Sequence, residues 1–264
     1  MRTLSKSLIA LVSCAMVQGT VQAEEWQFEF TPYIWAAANE GSSGPILTLA
    51  DGTEVPLDAP VDISFGDLAE KLDFGTMFNF SATKGKWLAY SEITVLNVPE
   101  TKIASATTPT RFGDINTDIN IEIGGEIVDL AVGYQLMARD NFDLYGYVGA
   151  RYFNLEVTLD LDSGDSVILN ASGTTGDEFI DPLVGLHGKW RINDTFTLQG
   201  RVEVGGFDDQ PSENTLVNVT LDHKLNDKWS LKYFYRVMNI DYQDNGFIYD
   251  MEVTGPGIGA SYIF

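Results

Sequence analysis

The chain has 264 residues, and 38 acidic side chains against 16 basic ones set its formal net charge at −22. Nucleic-acid binding is excluded, because phosphate contact needs clustered Lys and Arg. A single cysteine excludes a disulfide scaffold, a cysteine-rich zinc site and an iron–sulfur protein, and 44% hydrophobic with 12% aromatic residues excludes intrinsic disorder.

Residues 1–23 read as a secretory signal peptide. Arg2 and Lys6 supply its basic region, residues 7–17 its uncharged apolar core, and Val21-Gln22-Ala23 its cleavage site. Leu11-Val12-Ser13-Cys14 offers a competing lipoprotein box, but the apolar stretch before Cys14 is very short. Cleavage at Ala23 leaves 24–264 as one domain without cysteine, and its net charge moves from −22 to −24. No later window holds 18 consecutive apolar residues, so no helix spans a membrane.

A period of two runs through the rest. Trp26, Phe28, Phe30, Pro32 and Ile34 share one face of a first strand, with Gln27, Glu29 and Thr31 on the other. Phe78, Phe80 and Ala82 alternate with Asn79, Ser81 and Thr83 in a second. Val128, Leu130, Val132, Tyr134 and Leu136 line one face of another, and segments 196–204, 217–221 and 229–237 repeat the pattern. Such segments, about ten residues long, have the dimension of tilted transmembrane strands.

The connections alternate in length. Residues 138–144, 191–198 and 224–231 look like copies of one another, each with an Asn/Asp turn followed by an aromatic (Phe142, Phe196, Trp229). Lys84-Gly85-Lys86 before Trp87 is a fourth short turn. Asn, Asp and Gly suit tight hairpins, and the aromatics mark one membrane interface. Longer polar links cover 39–72, 100–118, 159–178, 208–214 and 243–248. The expected fold is therefore all-β: a single antiparallel up-and-down transmembrane β-barrel with short periplasmic turns and long extracellular loops. Ten strands fit, near 26–38, 73–84, 86–98, 119–137, 142–158, 179–191, 195–207, 215–224, 228–242 and 249–264. Extra hairpins within 46–57 or 157–169 leave eight or twelve as alternatives.

Ile258, Ala260, Tyr262 and Phe264 alternate to an aromatic C-terminus. This resembles the terminal signature of bacterial outer-membrane barrels, which implies the barrel-insertion machinery as a partner through the strand ending at Phe264. Further segments carry a wider resemblance: residues 31–36 (Thr-Pro-Tyr-Ile-Trp-Ala), 61–68, 181–186, Gly205-Gly206-Phe207, Tyr235-Arg236 with Asp241-Tyr242, and 255–259. In order and spacing the chain resembles a family of uncharacterised proteobacterial outer-membrane β-barrel proteins. The resemblance implies a Gram-negative outer-membrane address, with lipid and lipopolysaccharide as surroundings, and brings no catalytic residue.

A narrow barrel is normally filled by side chains. Phasing from the apolar face points Glu92, Asp129, Arg151, Asp181, Arg201, Glu203, Asp222, Lys232 and Arg236 inward. These form either a salt-bridged plug or the lining of a porin-like channel for small solutes or cations, and their mixed signs favour the plug. Enzymatic function is not expected. Omptin-type proteases place Asp and His at the extracellular rim, and lipid-modifying barrels use a His with Ser near the outer leaflet. Here His187 and His223 both fall near periplasmic turns, and Asp222 and His223 point to opposite faces of one strand. A cell-surface hydrolase is the least favoured reading. Asp160, Asp162 and Asp165 are weak calcium candidates that depart from EF-hand spacing, and hairpin chemistry explains them equally well. Residues 64–72 carry a helix signal, a lid or a surface helix: Ser64 as a cap, with Phe65, Leu68, Ala69 and Leu72 on one face. The five long links hold 19 of the 38 acidic residues and three basic ones. That charge points to a structural or surface-interaction role, with Ca2+ or Mg2+ bridging to anionic lipopolysaccharide as one expectation and simple solubility as the other.

Overall fold

The computed structural model describes residues 25–48, 54–56, 59–64, 77–110, 113–164, 171–207 and 212–264. The signal-peptide segment, Asp165 and all of the 64–72 helix signal except Ser64 lie outside them. Among the described residues thirteen strands form one sheet: β1 (Gln27–Trp35), β2 (Ala38–Thr48), β3 (Glu54–Pro56), β4 (Ala59–Ile63), β5 (Met77–Lys84), β6 (Trp87–Thr110), β7 (Gly113–Ala138), β8 (Phe142–Asp162), β9 (Ala171–Arg191), β10 (Phe196–Gly205), β11 (Ser212–Lys224), β12 (Trp229–Asp244) and β13 (Phe247–Ile263). From β5 to β13 each pairs antiparallel with the next, and β1 pairs with both β5 and β13. That closes a ring of ten positions. β2 continues the lane of β1 along β13, and β3 and β4 fold back against β2. Closure leaves no free edge within the ring. Backbone bonds exchanged between Phe28 and Phe264, at 3.1 and 3.0 Å, seal it at the chain ends.

The short turns follow their sequences. In 191–198 and 224–231, Asn193 and Asn226 each accept two backbone N–H bonds, from Thr195 and Phe196 and from Lys228 and Trp229, at 2.9–3.0 Å. These two turns are copies in geometry. The third differs, because Arg139 and Phe142 bond each other's backbone instead.

Four of the five long links are largely strand among the described residues, the first holding most of β2 with β3 and β4. β6 and β7 stay paired out to Thr110 and Gly113, and β8 and β9 to Leu161 and Ala171. The link at 243–248 is a two-residue turn, with Asn245 at φ 50° and Gly246 at φ 78°. Positive φ at both positions is the hairpin turn that Asn-Gly favours. Polar side chains such as Lys102, Asp118, Asp160 and Asp162 give these segments the composition of loops, while backbone pairing carries the strands on.

The apolar side of each strand changes partway along its length. In the turn-end half it faces outward: Leu130, Val132, Leu136, Val148, Ile180, Val202, Val219 and Ile258 are all exposed. An aromatic girdle accompanies them, with Trp87 against Tyr134 at 5.2 Å, Trp229 against Tyr262 at 4.8 Å, and Phe28 against Phe264 at 5.6 Å. That is a lipid-facing band. In the other half the inward residues are apolar and buried. Ile121, Ile123, Phe153, Leu155, Val157, Ile240, Met251 and Val253 belong to one core cluster, joined by Leu96, Val98, Val61 and Ile63. The barrel thus runs from a membrane-type wall into a water-type wall around a hydrophobic core.

A latch holds the upper rim. Asp177 on β9 accepts hydrogen bonds from the Tyr242 hydroxyl of β12 and from Asn245 of the turn, the latter at 2.7 Å. Partial burial works against the Asp177 charge, but these bonds outweigh it and hold the carboxyl below its usual value of 3.8. A carboxylate with a depressed folded pKa adds stability that is present above the unfolded value and lost as pH falls through the folded one. Amide exchange of the β12–β13 turn should therefore quicken below about pH 3.8. Asp177→Asn should remove that pH dependence, and an unchanged profile in the variant would sink the latch.

Candidate functional site: a charged layer and a periplasmic cup

Seven of the nine charged residues drawn from strand phasing meet in one buried layer at mid-barrel. Arg151 is fully buried and forks onto Asp129, with Nε to Oδ1 at 2.7 Å and Nη2 to Oδ2 at 2.8 Å. It also donates to Glu203, and through Nη1 to Asn214 Oδ1 at 2.7 Å. Arg201 donates to Glu92, and its Nε lies 3.3 Å from Glu203, an ion-pair distance without hydrogen-bond alignment. Arg236 donates to the other Glu92 oxygen. Its guanidinium sits among Trp35, Phe234 and Tyr33 at 4.9, 5.3 and 5.3 Å. Asp181 accepts from Ser212 and from Asn214 Nδ2, the latter at 2.5 Å, so Asn214 links it to Arg151. The two remaining residues lie nearer the turns: Lys232 pairs with Glu29 at 2.5 Å and with Asp222 at 3.2 Å.

Uncharged partners that strand phasing did not single out complete the layer. Tyr90 and Tyr147 both donate to Glu203 Oε1, at 2.8 and 2.6 Å, with their rings edge to face. The Tyr147 ring occupies space that a side chain at residue 185 would fill: a Cβ on Gly185 would lie 2.4 Å from it. The glycine on β9 therefore lets the phenol of β8 reach across to β10. Tyr33, Ser212, Asn214, Glu29 and Lys189 were likewise not singled out. Glu29 and Lys189 were legible, because the outward phasing of Phe30, Ile34, Val184, Leu186 and Trp190 turns them inward. The tyrosine contacts were not, since Tyr90 and Glu203 stand 113 positions apart and meet across the lumen.

Above this layer the apolar core fills the barrel. Phe153, Phe179 and Tyr242 stack at 4.6 and 4.1 Å from β8 through β9 to β12. Below it the lumen opens into a cup of about 100 Å³, walled by Glu29, Thr31, Ser81, Lys189, Gln199 and Lys232 and roofed by Glu92, Arg201 and Arg236.

Both histidines stand at the turn end. His187 shares a hydrogen bond with Gln199 at 3.2 Å, and His223 stacks on Phe196 at 4.8 Å. Asp222 points instead to Lys232 and Gln199. Asp162 accepts the Gly164 amide at 2.8 Å, the bond of a local turn, and no group of three or more metal-ligating side chains occurs among the described residues.

Part of the acidity lies on outward strand faces. Glu213, Asp241 and Asp250 stand side by side in register on β11, β12 and β13, and Glu252, Glu40 and Asp62 do so on β13, β2 and β4. All six are exposed. Partial burial first, then the neighbouring Asp250 and Glu213, push the Asp241 carboxyl above its ordinary value. Like charges directly opposite one another destabilise a sheet.

No family model matches the chain, and no curated protein sequence matches it. Solved structures do. The outer membrane protease OmpT from Escherichia coli superposes with a TM-score of 0.59 at 11% identity, covering 93% of this chain and 99% of that one. Ail, the attachment invasion locus protein of Yersinia pestis, gives 0.36 at 11% identity over 91% and 99%. The protein AlkL gives 0.35 at 14% identity over 97% of each chain. The OmpT likeness is close enough to define a shared fold, and the other two are too distant to carry an argument. By fold the chain is an outer-membrane β-barrel, antiparallel and up-and-down.

Proposed function

We propose that this chain is an integral outer-membrane barrel that conducts nothing and works as a surface platform, in a structural or interaction role. The observation that carries the reading is the apolar core above the ion-paired layer. A conducting lumen needs a continuous polar path, and residues such as Phe153, Ile123 and Met251, each at most 1% exposed, stand across it. The outward acidic rows support the interaction half of the reading. Side-by-side carboxylates weaken the sheet that carries them, so their presence on β11 to β13, β2 and β4 favours a use outside the fold. An enzymatic role finds no support here, since both histidines lie at the turn end and engage Gln199 and Phe196. OmpT is a protease, but at 11% identity only its fold bears on this chain.

Single-channel recording in planar bilayers tests the reading. The expected result is no stable conductance step from protein that shows a mobility difference between boiled and unboiled samples. Reproducible steps from such protein would overturn it and restore the narrow-channel alternative.

A further inference from the structure

The walls and roof of the cup carry four cations, Lys189, Arg201, Lys232 and Arg236, against two carboxylates, Glu29 and Glu92. Lys232 is matched by Glu29 and Asp222 within 3.2 Å, Arg201 by Glu92 and Glu203, and Arg236 by Glu92. Lys189 has no hydrogen bond and no carboxylate within 4 Å among the described residues. The charged groups that face it are Glu29, Lys232, Asp222 and Asp143. Two of these are already taken by Lys232, and Asp143 holds Arg191 at 2.9 Å and accepts from Gln135 at 3.0 Å. Lys189 sits next to Gln199 in register, on the inward face of β9, and lines the cavity. An ammonium turned into a narrow lumen, with a second ammonium nearby and no carboxylate in contact, is costly unless something anionic joins it. The rest of the wall suits such a guest. Ser81, Thr31 and Asn79 offer hydroxyl and amide donors around a space that holds several waters or one small polyatomic ion.

We propose that the cup is a binding site for a small oxyanion of the phosphate or sulfate class, entering from the periplasmic side and held by Lys189. The apolar core closes the far end, so the site is a blind pocket rather than a step along a path. Arg201 and Arg236 in the roof are engaged by Glu92, which leaves Lys189 as the charge that answers the ligand.

Inorganic phosphate is the probe. The full-length barrel, folded in detergent, is titrated with phosphate by calorimetry, and its thermal midpoint is followed in phosphate and in chloride of equal ionic strength. Expected are saturable heat and a phosphate-specific rise in the midpoint. Lys189→Gln should weaken binding about tenfold or more, as loss of a charge-assisted bond does. Lys189→Arg should retain it, and Lys102→Gln on the outer ribbon should change nothing. Equal midpoints in phosphate and chloride, with no saturable heat, would overturn the site. So would phosphate binding that survives Lys189→Gln. The wild-type titration decides the matter even if Lys189→Gln does not fold. Conductance does not enter these readouts, so failure of the site and failure of the closed-barrel reading are separate outcomes.

Discussion

Replacing Arg151 by methionine should cost the folded barrel about 3–5 kcal/mol, the range for breaking one partner out of a buried ion network. The loss falls unevenly on its partners. Asp129 is only 3% exposed and is bonded by Arg151 alone among the described residues, so the variant strands a buried carboxylate. Glu203 keeps Tyr90, Tyr147 and the nearby Arg201. Adding Asp129→Asn should therefore recover a substantial part of the loss, and adding Glu203→Gln much less. Urea unfolding of the refolded barrel in lipid vesicles measures all four forms. A cost for Arg151→Met of about 1 kcal/mol or less, the range of an exposed pair, would mean that water reaches this layer. Equal rescue by the two second substitutions would contradict the partner assignment.

Phe153→Ala should be of similar size for a different reason. Phe153 is completely buried, and removal of a core phenylalanine costs about 3–5 kcal/mol through lost transfer energy and the cavity left behind. It starts the stack that runs through Phe179 to Tyr242, whose hydroxyl donates to Asp177 at the latch. The damage should thus spread along the upper ribbons and stop at the lipid-facing band, whose outward residues do not touch the core. Hydrogen exchange resolves this: protection should fall in β8, β9 and β12 beyond Tyr152, Ile180 and Val237, and hold in the turn-end halves of the same strands. Uniform loss along each strand would show that the two halves unfold as one unit.

These two substitutions probe what was and was not legible in the chain. Arg151, Glu203 and Arg201 were readable as inward residues because lipid imposes a simple rule. Where the outer solvent is hydrocarbon, the apolar residues face out and the alternate positions must face the lumen. The same rule reaches Glu29 and Lys189. It fails above the membrane. There the outer solvent is water, and the apolar face inverts: odd positions Tyr249, Met251 and Val253 of β13 turn inward, whereas even positions Ile258, Ala260 and Tyr262 face out nearer the terminus. Leu155 and Val157 on β8 are inward in the same way, beyond the outward Val148. Read for composition rather than phase, segments 100–118 and 159–178 resemble loops, because their outward faces are charged and their ends carry turn residues.

The chain's own pattern thus determined the barrel, its ten positions, its lipid-facing band and the parity of its charged interior. All of these follow from local alternation and from turn chemistry such as Asn193, Asn226 and Asn245-Gly246. Tertiary structure alone decided that an apolar core lies beyond the ion-paired layer, that Tyr90 and Tyr147 converge on Glu203, and that among the described residues Lys232 rather than Lys189 is in contact with Glu29 and Asp222. Those outcomes depend on which strands face one another across the barrel. Strand-to-strand distance around a closed ring is set by closure and stagger, and no period along the chain encodes it.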